Sequence, residues 1–187
     1  MRRAVARRAW PAAADAQLRK LTPSYFALVM ATGIVSIGAS QLGVAFVDVG
    51  LFAFNIVAYV VLVVLTVVRL ARHRKAFVAD LTDHSRAFGF LTTVAGTCVL
   101  GAQMILIDDG YAIATGLLVV AAVLWVVLTY TIFTELTIKP DKPSLVDGIS
   151  GSWLLAVVAT QSIAVLVALL SAHWDQPLRY RCWPARC

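Results

Sequence analysis

The chain has 187 residues, 60% of them hydrophobic and only 14% charged, with a mean hydropathy of +0.84. A soluble domain carries roughly a quarter charged residues, so this composition excludes one and places the chain in the bilayer. The formal net charge is +6, yet the basic residues fall in alternate connections rather than in a folded basic module, which excludes nucleic acid as a partner.

Residues 1–22 form a basic arm, rich in Ala and Arg, with Pro11 and little to pack. Arg2-Arg3 and Arg7-Arg8 precede apolar sequence as in an export signal, but the stretch that follows is too long and too studded with polar residues, so it reads as a retained first span. The arm holds six basic side chains against Asp15 alone. The connection after the second span holds Arg69, Arg72, Arg74, Lys75 and Arg86 against Asp80 and Asp83. The opposite connections carry only Asp48 and then Asp108-Asp109. This alternation is the positive-inside pattern: the arm and the 70–87 loop belong in the cytoplasm, on a multi-pass protein of the cell membrane.

Five stretches reach the length of about 20 residues that crosses a hydrocarbon core. They lie near 24–43, 49–69, 88–107, 111–133 and 149–171, within a transmembrane domain of residues 23–172. Thr22-Pro23 starts the first, with Thr22 expected to cap the free amides. Phe26, Gly33 and Ser40 then recur at seven-residue spacing beside Ser36, while Leu28, Val35 and Leu42 occupy another face. The small face suits a close helix contact or the lining of a cavity, and the two are compatible.

The second span is rich in Val, with only Asn55 and Thr66 as polar interruptions, and can face lipid around most of its circumference. After it, Asp80, Asp83 and His84 have the look of a metal or proton-relay cluster; in a hydrophilic loop they read as solvated, with Asp83 able to cap the next helix. No metal, cofactor or catalytic residue is expected, and the chain is not read as an enzyme. The third span brings Gly89, Thr93, Gly96 and Gln103 to one face, with Cys98 as a small core residue. A helix-interior glycine costs about 1 kcal/mol against alanine, so several in one span need close packing, a bend or exposed backbone in return. The fourth span returns to the aliphatic type. The fifth carries Gly151, Ser152 and a mid-span run, Thr160-Gln161-Ser162, whose polar groups find no partner in lipid.

Odd spans thus bear Gly, Ser and Thr, and even spans Val and Leu. The fold class expected is all-α integral membrane, about five transmembrane helices paired as helical hairpins, with polar-tolerant helices inside and aliphatic ones outside. Residues 173–187 break the pattern: Arg179, Arg181 and Arg186 load positive charge on the outer side, beside Cys182 and Cys187. A truncated or frame-shifted end is expected there.

Three segments resemble one family. Pro23-Ser24-Tyr25-Phe26 running into Met30-Ala31-Thr32-Gly33-Ile34-Val35-Ser36, then His84-Ser85-Arg86-Ala87-Phe88-Gly89-Phe90 ahead of Ala95-Gly96, and Gly151-Ser152-Trp153-Leu154-Leu155 through Val158-Ala159-Thr160-Gln161-Ser162, are similar to the odd helices of the tellurite-resistance/C4-dicarboxylate transporter family, which includes the plant slow anion channels. The resemblance covers roughly residues 20–172. It implies half of a ten-helix, five-hairpin pore fold, a homotrimer with one pore per subunit, and an anionic small molecule as substrate: a C4-dicarboxylate, tellurite or a small inorganic anion. It also implies pore-lining positions at Phe26, Gly33, Phe90, Gly96, Thr160 and Gln161. The family's gating phenylalanine lies on a ninth helix that this sequence lacks. No Lys, Arg, Asp, Glu or His falls within the inferred lining, so an anion would meet hydroxyl, amide and backbone dipoles, as in a channel or facilitator. The competing expectation is a membrane fragment whose helices only pack.

Overall fold

The structure is a computed structural model in which residues 12–83, 86–138 and 151–174 are described. Among the described residues seven α-helices follow one another: α1 (Ala12–Lys20), α2 (Phe26–Gln41), α3 (Ala45–Arg72), α4 (Arg74–Leu81), α5 (Leu91–Asp108), α6 (Tyr111–Ile138) and α7 (Leu154–Trp174). Short 3-10 turns at Pro23–Tyr25, Ala87–Phe90 and Gly151–Trp153 lead into α2, α5 and α7. Five helices are long and apolar enough to cross a membrane, Pro23–Gln41, Phe46–Arg72, Ala87–Asp108, Tyr111–Glu135 and Gly151–His173. The protein is all-α, with five such spans among the described residues. Residues 1–11, 84–85, 139–150 and 175–187 lie outside the described residues, and so do His84, Cys182, Cys187 and the tail arginines.

Hydroxyls within these helices are accommodated locally. Thr32, Thr66, Thr97, Thr115, Thr131 and Thr137 each donate to the carbonyl four residues back, at 2.7–2.8 Å. Such back-bonding lets a hydroxyl sit in an apolar helix with no outside partner. Thr22 behaves otherwise than expected: it makes no side-chain capping bond, and its carbonyl accepts from Tyr25 N–H at 3.2 Å. Pro23 already removes one of the free amides at that end, and the 3-10 turn ties up another. Asp83 does cap, its Oδ1 accepting from Arg86 N–H at 3.2 Å.

The hairpin turns are tight. Gly43 takes φ +75° between α2 and α3. Between α5 and α6, Asp109 is left-handed at φ 52°, and Gly110 N–H reaches back to the Met104 carbonyl at 2.8 Å. That bond satisfies a carbonyl the helix end would otherwise leave free.

The helix α5 is the axis of the bundle. It packs against α2, α3, α6 and α7, and nearly all its side chains are buried. The helices α2 and α7 run parallel to it on either side. Gly89 lies against Ser24 and Gly96 against Phe26 on the α2 side. Phe88 stacks near Trp153 at 4.7 Å, and Gly101 lies against Leu166, on the α7 side. The helices α3 and α6 return antiparallel. On α6, Ala114, Ala121 and Leu128 recur every seven residues as the buried seam, and Ala159 and Leu166 do so on α7. This is the inner and outer order expected from composition, with one difference: α5 alone is enclosed, while α2 and α7 keep broad open faces.

Candidate functional site

Two surfaces carry polar chemistry within the spans, one buried and one open. The first is a buried seam behind α2 and α5. On α3 the buried residues are Asp48, Asn55 and Arg69, all polar and spaced seven or fourteen apart. One face of a seven-residue repeat points to a single neighbour, so these side chains form one stripe turned into the protein. At one end Ser36 donates to the Asp48 carbonyl at 2.9 Å. At mid-span the Thr32 hydroxyl proton is shared between the Leu28 carbonyl at 2.8 Å and Asn55 Oδ1 at 2.7 Å, and Asn55 Nδ2 donates to Gln103 Oε1 at 2.5 Å, linking α2, α3 and α5. One turn on, Tyr59 donates to Thr97 at 3.0 Å, since the Thr97 proton is committed to the Thr93 carbonyl. Gln103 is fully buried and its Nε2 has no partner among the described residues.

The residues expected to line a path divide between this interior and the open faces. Phe26 is buried, edge-on to Tyr59 at 6.0 Å. Phe90 is buried edge-on to Phe77 of α4 at 5.0 Å. A Cβ on Gly33 would lie 2.4 Å from Val99 Cγ1, and one on Gly96 would lie 3.4 Å from the Phe26 carbonyl. These two glycines let α2 and α5 approach, the small-residue contact that was one of the two readings of the face. The structure brings Phe26 and Gly96 together, and places Phe90, Thr160 and Gln161 elsewhere.

The second surface is the open side of α2 and α7. On α2, Ser24, Ala27, Ala31 and Gln41 are exposed and Gly38 is half-buried with nothing near it. On α7 the exposed stripe is Val157, Gln161, Ala164, Ala168 and Ala172. Both faces are uncharged and each carries one amide, Gln41 at the end of α2 and Gln161 at mid-span on α7, among exposed apolar side chains that include Ile34, Val35 and Val165. Within the Thr160-Gln161-Ser162 run, the three residues behave differently. Thr160 donates to the Ala156 carbonyl at 2.9 Å and accepts from Trp125 Nε1 at 3.0 Å. Ser162 donates to the Val158 carbonyl at 2.8 Å. A glutamine amide cannot be absorbed by its own helix in this way, so Gln161, exposed at mid-span, is the informative member of the three.

An open, uncharged face on each side of a buried central helix, with an amide at mid-span on α7, is suited to a weakly solvating path. A family model described as voltage-dependent anion channel matches residues 20–184. The chain belongs to the voltage-dependent anion channel family. No curated protein and no solved structure gives a significant match. Membership in this channel family sets the chain among multi-pass anion-transport proteins rather than enzymes, and the match takes in the five described spans, beginning at Lys20, the last residue of α1. Asn55 and the α3 stripe were missed by treating that helix as lipid-facing; the seven-residue spacing of Asp48, Asn55 and Arg69 was the available signal. Asp80, expected to be solvated, is instead held between Arg69 and Arg86, because α4 folds back over the end of α3.

Proposed function

We propose that this member of the voltage-dependent anion channel family passes small anions by a channel or facilitator mechanism, along the open stripe of α2 and α7, with Thr160 and Gln161 on the lining. The observation that carries the reading is the exposed amide of Gln161 in the middle of an apolar span. Its amide hydrogens can replace part of an anion's hydration, and no fixed charge is present on α2 or α7 at that depth to trap the ion. A doubly charged C4-dicarboxylate meets a far higher barrier in such a lining than a monovalent inorganic anion, because neutral dipoles would have to offset both charges. Small monovalent anions are therefore favoured over C4-dicarboxylate or tellurite. Phe26, Gly33, Phe90 and Gly96 support the path from behind by fixing α5 against its neighbours. A homotrimer and a site in the cell membrane complete the reading, as the family resemblance implies.

Liposomes reconstituted with the full chain test it. Gln161→Leu is expected to change anion flux by about three- to tenfold, the effect of roughly 1 kcal/mol on a barrier, while insertion and folded yield stay normal. Equal flux from the native chain and the variant, or no anion flux from either, overturns the reading in favour of helices that only pack.

Orientation follows from the same basic connections. With the arm and the α3–α4 corner in the cytoplasm, a Lys75→Cys variant, in a background carrying Cys182→Ser and Cys187→Ser, should resist an impermeant thiol reagent on intact cells and react after permeabilisation. Lys75 is exposed, so access is limited by sidedness alone. Strong labelling of intact cells inverts the topology.

A further inference from the structure

The end of the bundle that carries the arm holds a cluster which the path does not use. Arg69 stands in the last turn of α3 and is only 2% exposed. Its Nη2 donates to the Arg19 carbonyl at 3.1 Å and pairs with Asp80, whose other oxygen accepts from Arg86 Nη1 at 3.0 Å. Nη2 therefore carries both interactions. Nε and Nη1 of the same guanidinium are buried and have no hydrogen-bond partner among the described residues. A guanidinium has five N–H donors in a fixed fork, and leaving most of them dry is costly.

The arginine is not in a sealed core. It lines a cavity of about 800 Å³ beneath α1, together with Asp15, Arg19, His73, Asp80 and Arg86. Both carboxylates are already engaged, Asp80 by two arginines and Asp15 by His73 at 3.3 Å. The donors in the cavity thus outnumber its acceptors. A second crevice of about 380 Å³ adjoins it, lined by Arg72, Arg74 and Lys75, and keeps the approach positive. Hydrophobic residues of α4, Phe77 and Leu81, pack on the core beside this cluster, which puts the cavity at headgroup level at the end of the spans.

We propose that this cavity binds a phosphate-type oxyanion, seated between α1 and the α3–α4 corner and held by Arg69, Arg19 and Arg86. Tetrahedral oxyanions match the fork of a guanidinium, and basic pockets among span ends at headgroup level suit phosphorylated lipid headgroups. The same chemistry is offered by free phosphate in the aqueous phase. Asp80 occupies the guanidinium groups that the anion would use, so it acts as the internal competitor. This makes a signed expectation: removing the Asp80 charge should strengthen anion binding even as it weakens the chain without anion.

Thermal unfolding of the purified full chain in detergent is the measurement, with inorganic phosphate against chloride at equal ionic strength, and with phosphatidic acid against phosphatidylcholine at equal mole fraction in the micelle. Saturating anion is expected to raise Tm by about 4 °C. The rise should be at least doubled in Asp80→Asn and lost in Arg19→Gln/Arg86→Gln, two exposed positions whose change leaves the buried Arg69–Asp80 pair in place. A rise with inorganic phosphate assigns the site to free phosphate; a rise with phosphatidic acid alone assigns it to a lipid headgroup; both support the proposal. No rise with either, or a rise that survives Arg19→Gln/Arg86→Gln, overturns it. Anion flux plays no part in these readouts, so the outcome is independent of the proposed path.

Discussion

Gly33→Val is expected to break the contact between α2 and α5 and to lower Tm by about 4–8 °C, with a matching loss of monodisperse protein in detergent. A Cβ at this position would come 2.4 Å from Val99 Cγ1, 3.1 Å from Asn55 Nδ2 and 3.2 Å from Gln103 Oε1. The first distance cannot be tolerated, and Val99 has only stiff χ1 rotamers with which to move away. The other two press on the hydrogen-bonded amides that join three helices. Gly38→Val provides the internal contrast, because nothing lies within 4 Å of a Cβ there although it is on the same helix. It should be neutral, since replacing a helix-interior glycine also removes a propensity penalty of several tenths of a kcal/mol. Rescue is expected when Gly33→Ala is combined with Val99→Ala, which deletes the obstructing methyl. Equal stability of Gly33→Val and the native chain would show that α2 and α5 do not approach this closely.

The contrast between Gly33 and Gly38 shows where a sequence reading stops. Seven-residue spacing of Phe26 and Gly33 identified a small face on the first span, but spacing does not say whether a small face meets another helix or open space. The answer depends on what stands opposite, here Val99, Gln103 and Asn55 from two other helices. The number of spans was legible because hydrocarbon thickness imposes a length that composition alone can meet. The parallel odd helices and antiparallel even ones were legible as well, since Gly, Ser and Thr mark helices that meet protein and long runs of Val mark those that meet lipid. The enclosure of α5 alone was not, because the first and fifth spans carry similar small residues and differ from the third only in having fewer neighbours.

Polar residues were misjudged in an instructive way. Thr160, Gln161 and Ser162 looked like one unit, yet the two hydroxyls bond to carbonyls of their own helix and only the amide is left needing a partner. Conversely, Asn55 looked like an isolated blemish in an aliphatic helix. Placed with Asp48 seven residues before it and Arg69 fourteen after, it belongs to the stripe that α3 turns inward. In a helix surrounded by lipid, a sparse polar repeat is a stronger guide to the buried face than the abundant Val around it, because burial of Val is nearly neutral in that solvent while exposure of an amide or a charge is costly.

That rule has a direct energetic test at the centre of the seam. Gln103→Leu should destabilise the chain by about 1 kcal/mol, because it removes the acceptor of Asn55 Nδ2 and leaves that donor buried. Asn55→Leu should cost a similar amount, since Gln103 then has neither amide group bonded. The double variant, Asn55→Leu with Gln103→Leu, is expected to lie within a few tenths of a kcal/mol of the native chain, or above it. It removes both members of the bond at once and also eliminates Gln103 Nε2, which is buried without a partner among the described residues of the native chain. Thr32 loses nothing essential, as its hydroxyl retains the Leu28 carbonyl at 2.8 Å. The coupling between the two sites, read from unfolding in a denaturing-detergent titration, should therefore be close to the sum of the single losses. Additive losses would mean that the amides do not bond to each other and that each is satisfied separately. Both residues are fully buried behind α2 and α5, away from the open stripe that carries Gln161. Anion flux per folded protein should accordingly be unchanged in the double variant, which separates the seam that holds the helices together from the face on which an ion would move.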